Sequence, residues 1–497
     1  MRLFKLRGGV HPEGRKALSA ELPIRVLPLP KQLFVPLQQH IGAPATPVVK
    51  LGDHVSKGQL IATGQGMISA PVHAPTSGVI TALGDYPAPH PSGLPIPTVV
   101  IDSDGEDRWQ DSETIDDPFS LSPEEISERV GDAGIVGLGG ATFPAAVKLS
   151  LSRKNGVHTL IMNGGECEPY LTCDDRIMRE RAEQIVEVIR LIAYSVGAQQ
   201  ILVGIEDNKP EAIAAMRAAA NNSEVNVVVI PSMYPMGSEK QLIQVLTGNE
   251  IPATGRPADI GILVHNVGTA YAVQQAIRYG RPLVSRLVTI SGGAIKNPCN
   301  LEVLIGTPAQ ALIEYAGGYA ELPARIVLGG PMMGQQITNI AVPVVKGTSG
   351  VLALTSSEIG QTQASPCIRC STCVRACPVG LLPLEMAAHI RVSDLSAAVK
   401  LGLRDCISCG SCSYVCPAHI PLVHYFNYAK GELMEQERGK LKQEATKKLA
   451  EERQARMQRI ERERQEAAAK RKAAREARER AAAAKAAAEQ QTTTEVT

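Results

Sequence analysis

Residues 367–378 read CIRCSTCVRACP and residues 406–417 read CISCGSCSYVCP, one pattern, C-x2-C-x2-C-x3-C-P, repeated after 39 residues. Three thiols at this spacing sit on short loops that turn back on themselves and can wrap one face of an iron–sulfur cubane. The fourth lies beyond a sharper turn, which Pro378 or Pro417 helps fix, and points away. Zinc sites typically use paired C-x2-C units rather than a triplet followed by x3-C-P. The spacing therefore predicts two [4Fe–4S] clusters and one-electron chemistry. The chain has eleven cysteines, and eight in two tight groups suit metal ligation better than disulfides.

The segment resembles the two-cluster ferredoxins, in which the fourth cysteine of each run ligates the other cluster. That resemblance implies Cys367, Cys370, Cys373 and Cys416 for one cluster, and Cys406, Cys409, Cys412 and Cys377 for the second. An α-helical ferredoxin-like domain is expected over residues 360–430. Of the remaining cysteines, Cys299 reads as a small core residue, while Cys167 and Cys173 draw interest from their neighbours.

Downstream, residues 435–497 form an Ala/Glu/Lys/Arg-rich tail of strong helix formers. Leu441, Leu449, Met457 and Ile460 are too sparse for sustained heptads. A solvated single helix, a partly disordered tail and a partner-docking helix all suit this composition. Residues 431–497 hold 17 Lys/Arg against 13 Asp/Glu, and the first 430 residues hold 34 against 37. Neither balance is a nucleic-acid footprint.

Upstream, the 497 residues point to several domains. The expected architecture is multi-domain α/β. Residues 1–101 carry VVKLGDHVSKGQLIA and SAPVHAPTSGVITAL, which resemble a barrel-sandwich module. No lysine stands at its hairpin tip, Val72 to Pro75, so it reads as a docking or scaffold module with His73 on the surface. Residues 102–123 read as an acidic linker. Over 122–280, helix-like and strand-like segments alternate (Pro123–Val130, Thr159–Asn163, Arg181–Val196, Gln200–Ile205, Pro210–Ala220, Val225–Ile230), which predicts βαβ units and a parallel sheet. Residues 281–340 read as a small β-grasp-like (SLBB-type) domain. Ile260 to Ile277, the longest charge-free apolar-looking stretch, is interrupted by His265, Asn266, Gln274 and Gln275 and lacks the ~20 apolar residues of a membrane span. Charges break every apolar cluster of MRLFKLRGGVHPEGRK, so no signal peptide is expected.

Within the α/β segment, GIVGLGGATFP at 134–144 precedes a helical stretch containing Lys148. Glycines at 137, 139 and 140 let backbone amides approach a phosphate, and a helix N-terminus favours an anion. The spacing matches neither GxGxxG nor a Walker A loop, and a ligand-free glycine-rich turn is the alternative. NGGECEP at 163–169 follows the strand ending near Met162, the place where open α/β sheets bind ligands.

GLGGATFP with Lys148, NGGECEP, YPMGSEK at 234–240 and VHNVGT at 264–269 together resemble the successive FMN and NADH motifs of the NADH-oxidising flavoprotein subunit of respiratory complex I. With the flanking modules, residues 1–430 are similar to the C subunit of the Rnf/Rsx ion-translocating electron-transport complex. The resemblance implies that Gly137, Gly139, Gly140, Lys148, Asn163, Glu166, Gly237 and Asn266 cradle FMN, and that Phe143, Glu168 and Glu239 face NADH. It also implies integral-membrane and ferredoxin-like partner subunits, and a peripheral position on the cytoplasmic side of the bacterial inner membrane. Leu138 departs from an arginine usual in the complex I pattern, Gly165 from an aspartate, Ser238 from a glutamate and His265 from an asparagine. Two alternatives follow: an electron-transfer adapter with a vestigial flavin site, and a soluble flavoprotein similar to cobalamin reductase.

Overall fold

Near-continuous aliphatic runs such as Leu160–Met162 and Ile201–Val203 lack the polar alternation of a half-exposed strand, because parallel sheets are covered on both faces. In the computed structural model, which describes residues 3–90, 92–253, 255–360 and 363–494, these runs form a four-stranded parallel sheet. Its spatial order is Val225–Ile230, Gln200–Glu206, Thr159–Gly164, Ile262–Asn266. Alternate residues serve the two faces. Leu160, Met162, Val203 and Leu263 join helices Pro123–Asp132, Ala182–Val196 and Val267–Tyr279 in one core. Ile161, Leu202, Val228 and Val264 pack against Glu239–Thr247 on the other.

Thr159–Gly164, the earliest of these four strands in the chain, stands third in the sheet, with the next two built out on one side and the last on the other. Strand order therefore reverses between Thr159–Gly164 and Ile262–Asn266, where a crevice opens beyond the C-terminal ends. Asn163 and Asn266 are register partners at that point.

The N-terminal module holds an antiparallel four-stranded sheet, ordered Gln32–Pro36, Pro95–Ser103, Gly78–Pro87, His54–Val55, and a three-stranded one, ordered Thr46–Pro47, Leu60–Thr63, Val72–His73. His73 is not at the surface: it is buried, and burial with Lys346 nearby holds its pKa down to about 3. The hairpin tip packs against the segment around Asp132 and Gly134 and against Lys346, which buries it. Residues 102–123 also do more than link. Asp102 and Ser103 finish a strand, and Lys57 and Arg281 lie over the Trp109 ring at 5.0 and 5.1 Å.

The β-grasp-like part pairs Ser285–Ser291 antiparallel with Cys299–Leu304, and Ala309–Tyr315 packs in the same core. The sheet also takes in Gly350–Leu354, Arg325–Leu328, Gln335–Ile337 and, from far upstream, Arg25–Val26. Lys346 stitches the modules together: its ammonium donates to the carbonyls of Pro71 at 2.9 Å and Gly134 at 2.6 Å.

Short helices, Thr372–Ala376, Pro383–Arg391, Leu395–Lys400 and Ser411–Tyr414, carry the cysteine repeats. Met1–Phe426 forms one compact unit and Asn427–Thr497 another. Helix Leu422–Thr494 runs through the second unit, almost wholly exposed and carrying i,i+4 pairs such as Arg475–Glu479 at 2.8 Å. Among the described residues no helix is long and apolar enough to cross a membrane.

Candidate functional site

A cavity of about 750 Å3 opens at the switch point of the parallel sheet. The chain enters it on the loop at 134–144, which closes through Gly137 N–H donating to the Phe143 carbonyl at 2.8 Å before helix Ala145–Lys154 begins. Gly137, Gly139, Gly140, Phe143 and Lys148 line the wall from this side, and Asn163, Glu166 and Glu168 from the loop after the first strand. Gly237, Glu239 and Asn266 complete the set, so all eleven residues singled out in the sequence share one cavity. Gln38 and Gln39 from the N-terminal module and Ile407 and Cys409 from the second cysteine repeat line it as well.

Several wall positions are fixed by backbone approach. A Cβ on Gly237 would lie 2.1 Å from the Gly165 carbonyl oxygen, so only glycine fits there. Asn163 holds the same two loops together, its Nδ2 donating to the Gly237 carbonyl at 2.8 Å and its Oδ1 accepting from Gly165 N–H at 2.9 Å. Asn266 caps helix Val267–Tyr279 by accepting from Gly268 N–H at 2.8 Å, and its Nδ2 donates to Asp174 Oδ2 at 2.6 Å.

The carboxylates have distinct partners. Glu166, buried, accepts from the amides of Asp174 at 2.9 Å and Asp175 at 3.3 Å and from the Cys173 thiol at 3.2 Å, at the start of helix Cys173–Glu180. A carboxylate at a helix N-terminus is stabilised by the exposed amides. Glu168 accepts from the amides of Met332 at 2.9 Å and Met333 at 2.8 Å, in the GGPMMG turn of the β-grasp part, and burial lifts its pKa to about 7. Glu239 pairs with Lys148 at 3.0 Å. His265 is held down to about 3 by burial and then by Lys148, and its Nε2 has no hydrogen-bond partner among the described residues.

Three residues that the sequence motifs do not include complete the site. Lys16, from the N-terminal segment, donates to the carbonyls of Glu166 at 2.8 Å, Glu168 at 3.0 Å and Leu171 at 2.6 Å, pinning the loop that bears both carboxylates. Arg286, from the β-grasp part, donates to the Leu138 carbonyl at 2.8 Å and lines the cavity. Asp174 lies on the wall beside Cys173. No sequence pattern announces the Lys16 and Arg286 contacts, because each joins segments more than 140 residues apart, whereas Asp174 lies just beyond NGGECEP in the same loop-to-helix stretch.

The cysteine repeats share a backbone device. Arg369 and Ser371 in the first, and Ser408 and Gly410 in the second, all have positive φ, between 54° and 78°. Left-handed residues at these matching places bend each triplet around its sulfurs. Cys377 from the first repeat joins Cys406, Cys409 and Cys412 around a cavity of about 20 Å3. Thiols of Cys416 and Cys370 stand near Cys373 and add to the upward push of burial on its pKa. Cys367 and Cys370 are exposed, whereas Cys409 and Cys412 are buried. Tyr234, on the cavity wall, donates its hydroxyl to the Cys409 carbonyl at 2.6 Å. The cavity and the second repeat therefore share a wall.

These features agree with what comparison finds. The RnfC barrel-sandwich hybrid domain family matches residues 4–106, the Nuo51 FMN-binding domain family residues 130–275, the SLBB domain family residues 287–336 and the 4Fe-4S dicluster domain family residues 366–420. The chain is 52% identical over 438 residues to the C subunit of the ion-translocating oxidoreductase complex of Rhodobacter capsulatus, covering 87% of this chain and 84% of that one. It is 45% identical over 433 residues to the C subunit of the proton-translocating ferredoxin:NAD(+) oxidoreductase complex of Clostridium ljungdahlii, covering 86% and 94%. The residues on the wall suit FMN: the volume lies in the range of ligand pockets, Gly140 has open space where a Cβ would stand, and Lys148 brings a cation to the same wall. The chain belongs to the family of C subunits of Rnf-type ion-translocating oxidoreductase complexes, as an electron-transfer subunit with FMN-binding and 4Fe-4S dicluster domains.

Proposed function

We propose that this chain is the electron-input subunit of its complex, oxidising NADH in the cavity and passing the electrons singly by way of the two cysteine sets to membrane partners. The observation that carries the reading is the shared wall: residues of the switch-point crevice and Ile407 and Cys409 of the second repeat line one cavity. FMN, when bound, supplies the conversion of a two-electron donor into one-electron traffic.

In this reading the amides around Gly137, Gly139 and Gly140, with Lys148, hold the phosphate of FMN. Asn163, Glu166, Gly237 and Asn266 form the remaining cradle, and Phe143, Glu168 and Glu239 face the nicotinamide nucleotide. One departure from the complex I pattern has local compensation. Where Leu138 replaces an arginine, Arg286 brings a guanidinium to the same wall. At Gly165 a Cβ would come within 3.2 Å of Gly237 Cα, so this cavity is built without an aspartate there.

Cys377, Cys406, Cys409 and Cys412 hold the cluster nearer the cavity, and Cys367, Cys370, Cys373 and Cys416 the outer one. The exposure of Cys367 and Cys370 suits delivery to integral-membrane and ferredoxin-like subunits, with the chain peripheral on the cytoplasmic side of the bacterial inner membrane. The test is anaerobic reconstitution with FMN, iron and sulfide, followed by NADH addition. Flavin bleaching with loss of cluster absorbance supports the reading; no flavin retained and no NADH-dependent cluster reduction would favour a pure adapter.

A further inference from the structure

Oxidation of NADH to NAD+ yields two electrons and one proton, and iron–sulfur clusters accept only the electrons. If the cavity oxidises NADH, as proposed above, one proton per turnover must leave it by another route. Most ionisable groups on the wall are already committed. Glu166 accepts from two amides and a thiol, Glu168 from two amides, and Glu239 is paired with Lys148. Tyr234 spends its hydroxyl on the Cys409 carbonyl.

Asp174 differs in both bonding and position. Among the described residues only its Oδ2 is engaged, by Asn266 Nδ2 at 2.6 Å. With Cys173, Leu138 and Arg286 it lines both the main cavity and a second pocket of about 80 Å3. That pocket has room for several waters, given that one needs roughly 10–15 Å3. Its further polar lining, Arg181, Gln275 and Glu302, is only half-buried, so the pocket leads toward solvent.

We propose that Asp174 accepts the proton left in the cavity by NADH oxidation and releases it through this side pocket. The charged and titratable groups facing it are Glu166, Cys173, Arg286 from the β-grasp part and Lys209, with Arg181 and Glu302 farther along the pocket. Burial first, and then the charge of Glu166, lifts the Asp174 carboxyl to about 7, while Asn266, Arg286 and Lys209 oppose the rise. A carboxyl poised near the working pH both takes and gives up a proton readily.

The test compares wild type with Asp174→Asn and Asp174→Glu. In the full chain without added cofactors, infrared difference spectra should show a carboxyl C=O band that titrates near pH 7 and is absent from Asp174→Asn. After reconstitution, NADH-driven cluster reduction in Asp174→Asn should fall on the order of tenfold to a hundredfold, lose its pH dependence near 7, and recover with added formate or acetate. Asp174→Glu should retain most of the rate with a shifted pH profile. A wild-type rate, an unchanged pH profile and no rescue in Asp174→Asn would overturn the proposal. So would loss of flavin from both variants, which would make Asp174 a binding residue. If wild type itself fails to reduce its clusters with NADH, the donor assignment falls first and this inference with it.

Discussion

The Tyr234 hydroxyl donates to the Cys409 carbonyl at 2.6 Å, one bond joining the cavity wall to the loop of the second cysteine repeat. Tyr234 is 2% exposed, so its phenol serves that contact and not solvent. Tyr234→Phe leaves a buried carbonyl unpaired and should cost about 1–3 kcal/mol. Because the contact joins wall to loop, the variant should also slow NADH-driven cluster reduction while flavin bleaching keeps its wild-type rate. Stopped-flow traces at the two wavelengths check this; equal slowing of both would show that the bond acts on the whole fold.

The glycines of the cavity separate into two kinds. At Gly237 a Cβ would collide with the Gly165 carbonyl at 2.1 Å, so Gly237→Ala should destabilise the chain by about 1–3 kcal/mol. At Gly137 the nearest atoms to a Cβ stand 3.7 Å away, an ordinary contact. Gly137→Ala should therefore keep the wild-type melting temperature but retain less FMN. Thermal melts beside flavin-to-protein ratios test both, and an unaltered flavin ratio in Gly137→Ala would remove Gly137 from the cradle.

Lys16 holds three carbonyls of the loop at 166–171. Lys16→Met keeps the apolar stem and loses those bonds, at a cost of about 3 kcal/mol, since bonds to charged groups are the stronger kind. Urea denaturation reads the loss. A midpoint equal to wild type would mean that the N-terminal segment does not pin the loop.

Glu168 and His265 give stability opposite dependences on pH. Burial lifts Glu168 to about 7 from an unfolded value of about 4.3. The folded state then binds the extra proton between those values, and its contribution falls as pH rises through that window. His265 is held at about 3 against about 6.5 unfolded, so its contribution is lost as pH falls below about 6.5. The two oppose each other between about 4.5 and 6.5. Glu168→Gln should make the urea midpoint drop more steeply with acid over that range than in wild type. Parallel curves would contradict the raised carboxyl.

Much of this was legible in the chain. The elements expected at Thr159–Asn163, Gln200–Ile205 and Val225–Ile230 appear as strands Thr159–Gly164, Gln200–Glu206 and Val225–Ile230, because aliphatic runs bounded by polar turns carry a local signal. Glycine-rich and NGGECEP motifs lie at strand ends, so reading them also located the crevice. Contacts across the chain were not legible. His73 reads as exposed because a hairpin tip usually is, yet the tip packs against the segment around Asp132 and against Lys346. Lys16 and Arg286 reach the site from segments whose local sequence has no ligand pattern; only the packed modules bring them there. Residues 102–123 read as a linker since acidic, weakly patterned sequence lacks periodicity, and the anchoring comes from partners outside the segment, such as Lys57 on Asp107, Arg129 on Glu113 and the two cations over Trp109.

Passage of electrons out of the cavity through the Cys377, Cys406, Cys409 and Cys412 set is probed by Cys377→Ser. The reconstituted variant is mixed anaerobically with NADH and followed by stopped-flow absorbance and freeze-quench EPR. Flavin should bleach at the wild-type rate while neither cluster is reduced on that timescale, although dithionite still reduces the cluster of Cys367, Cys370, Cys373 and Cys416. Reduction of that outer cluster by NADH at the wild-type rate would contradict that route.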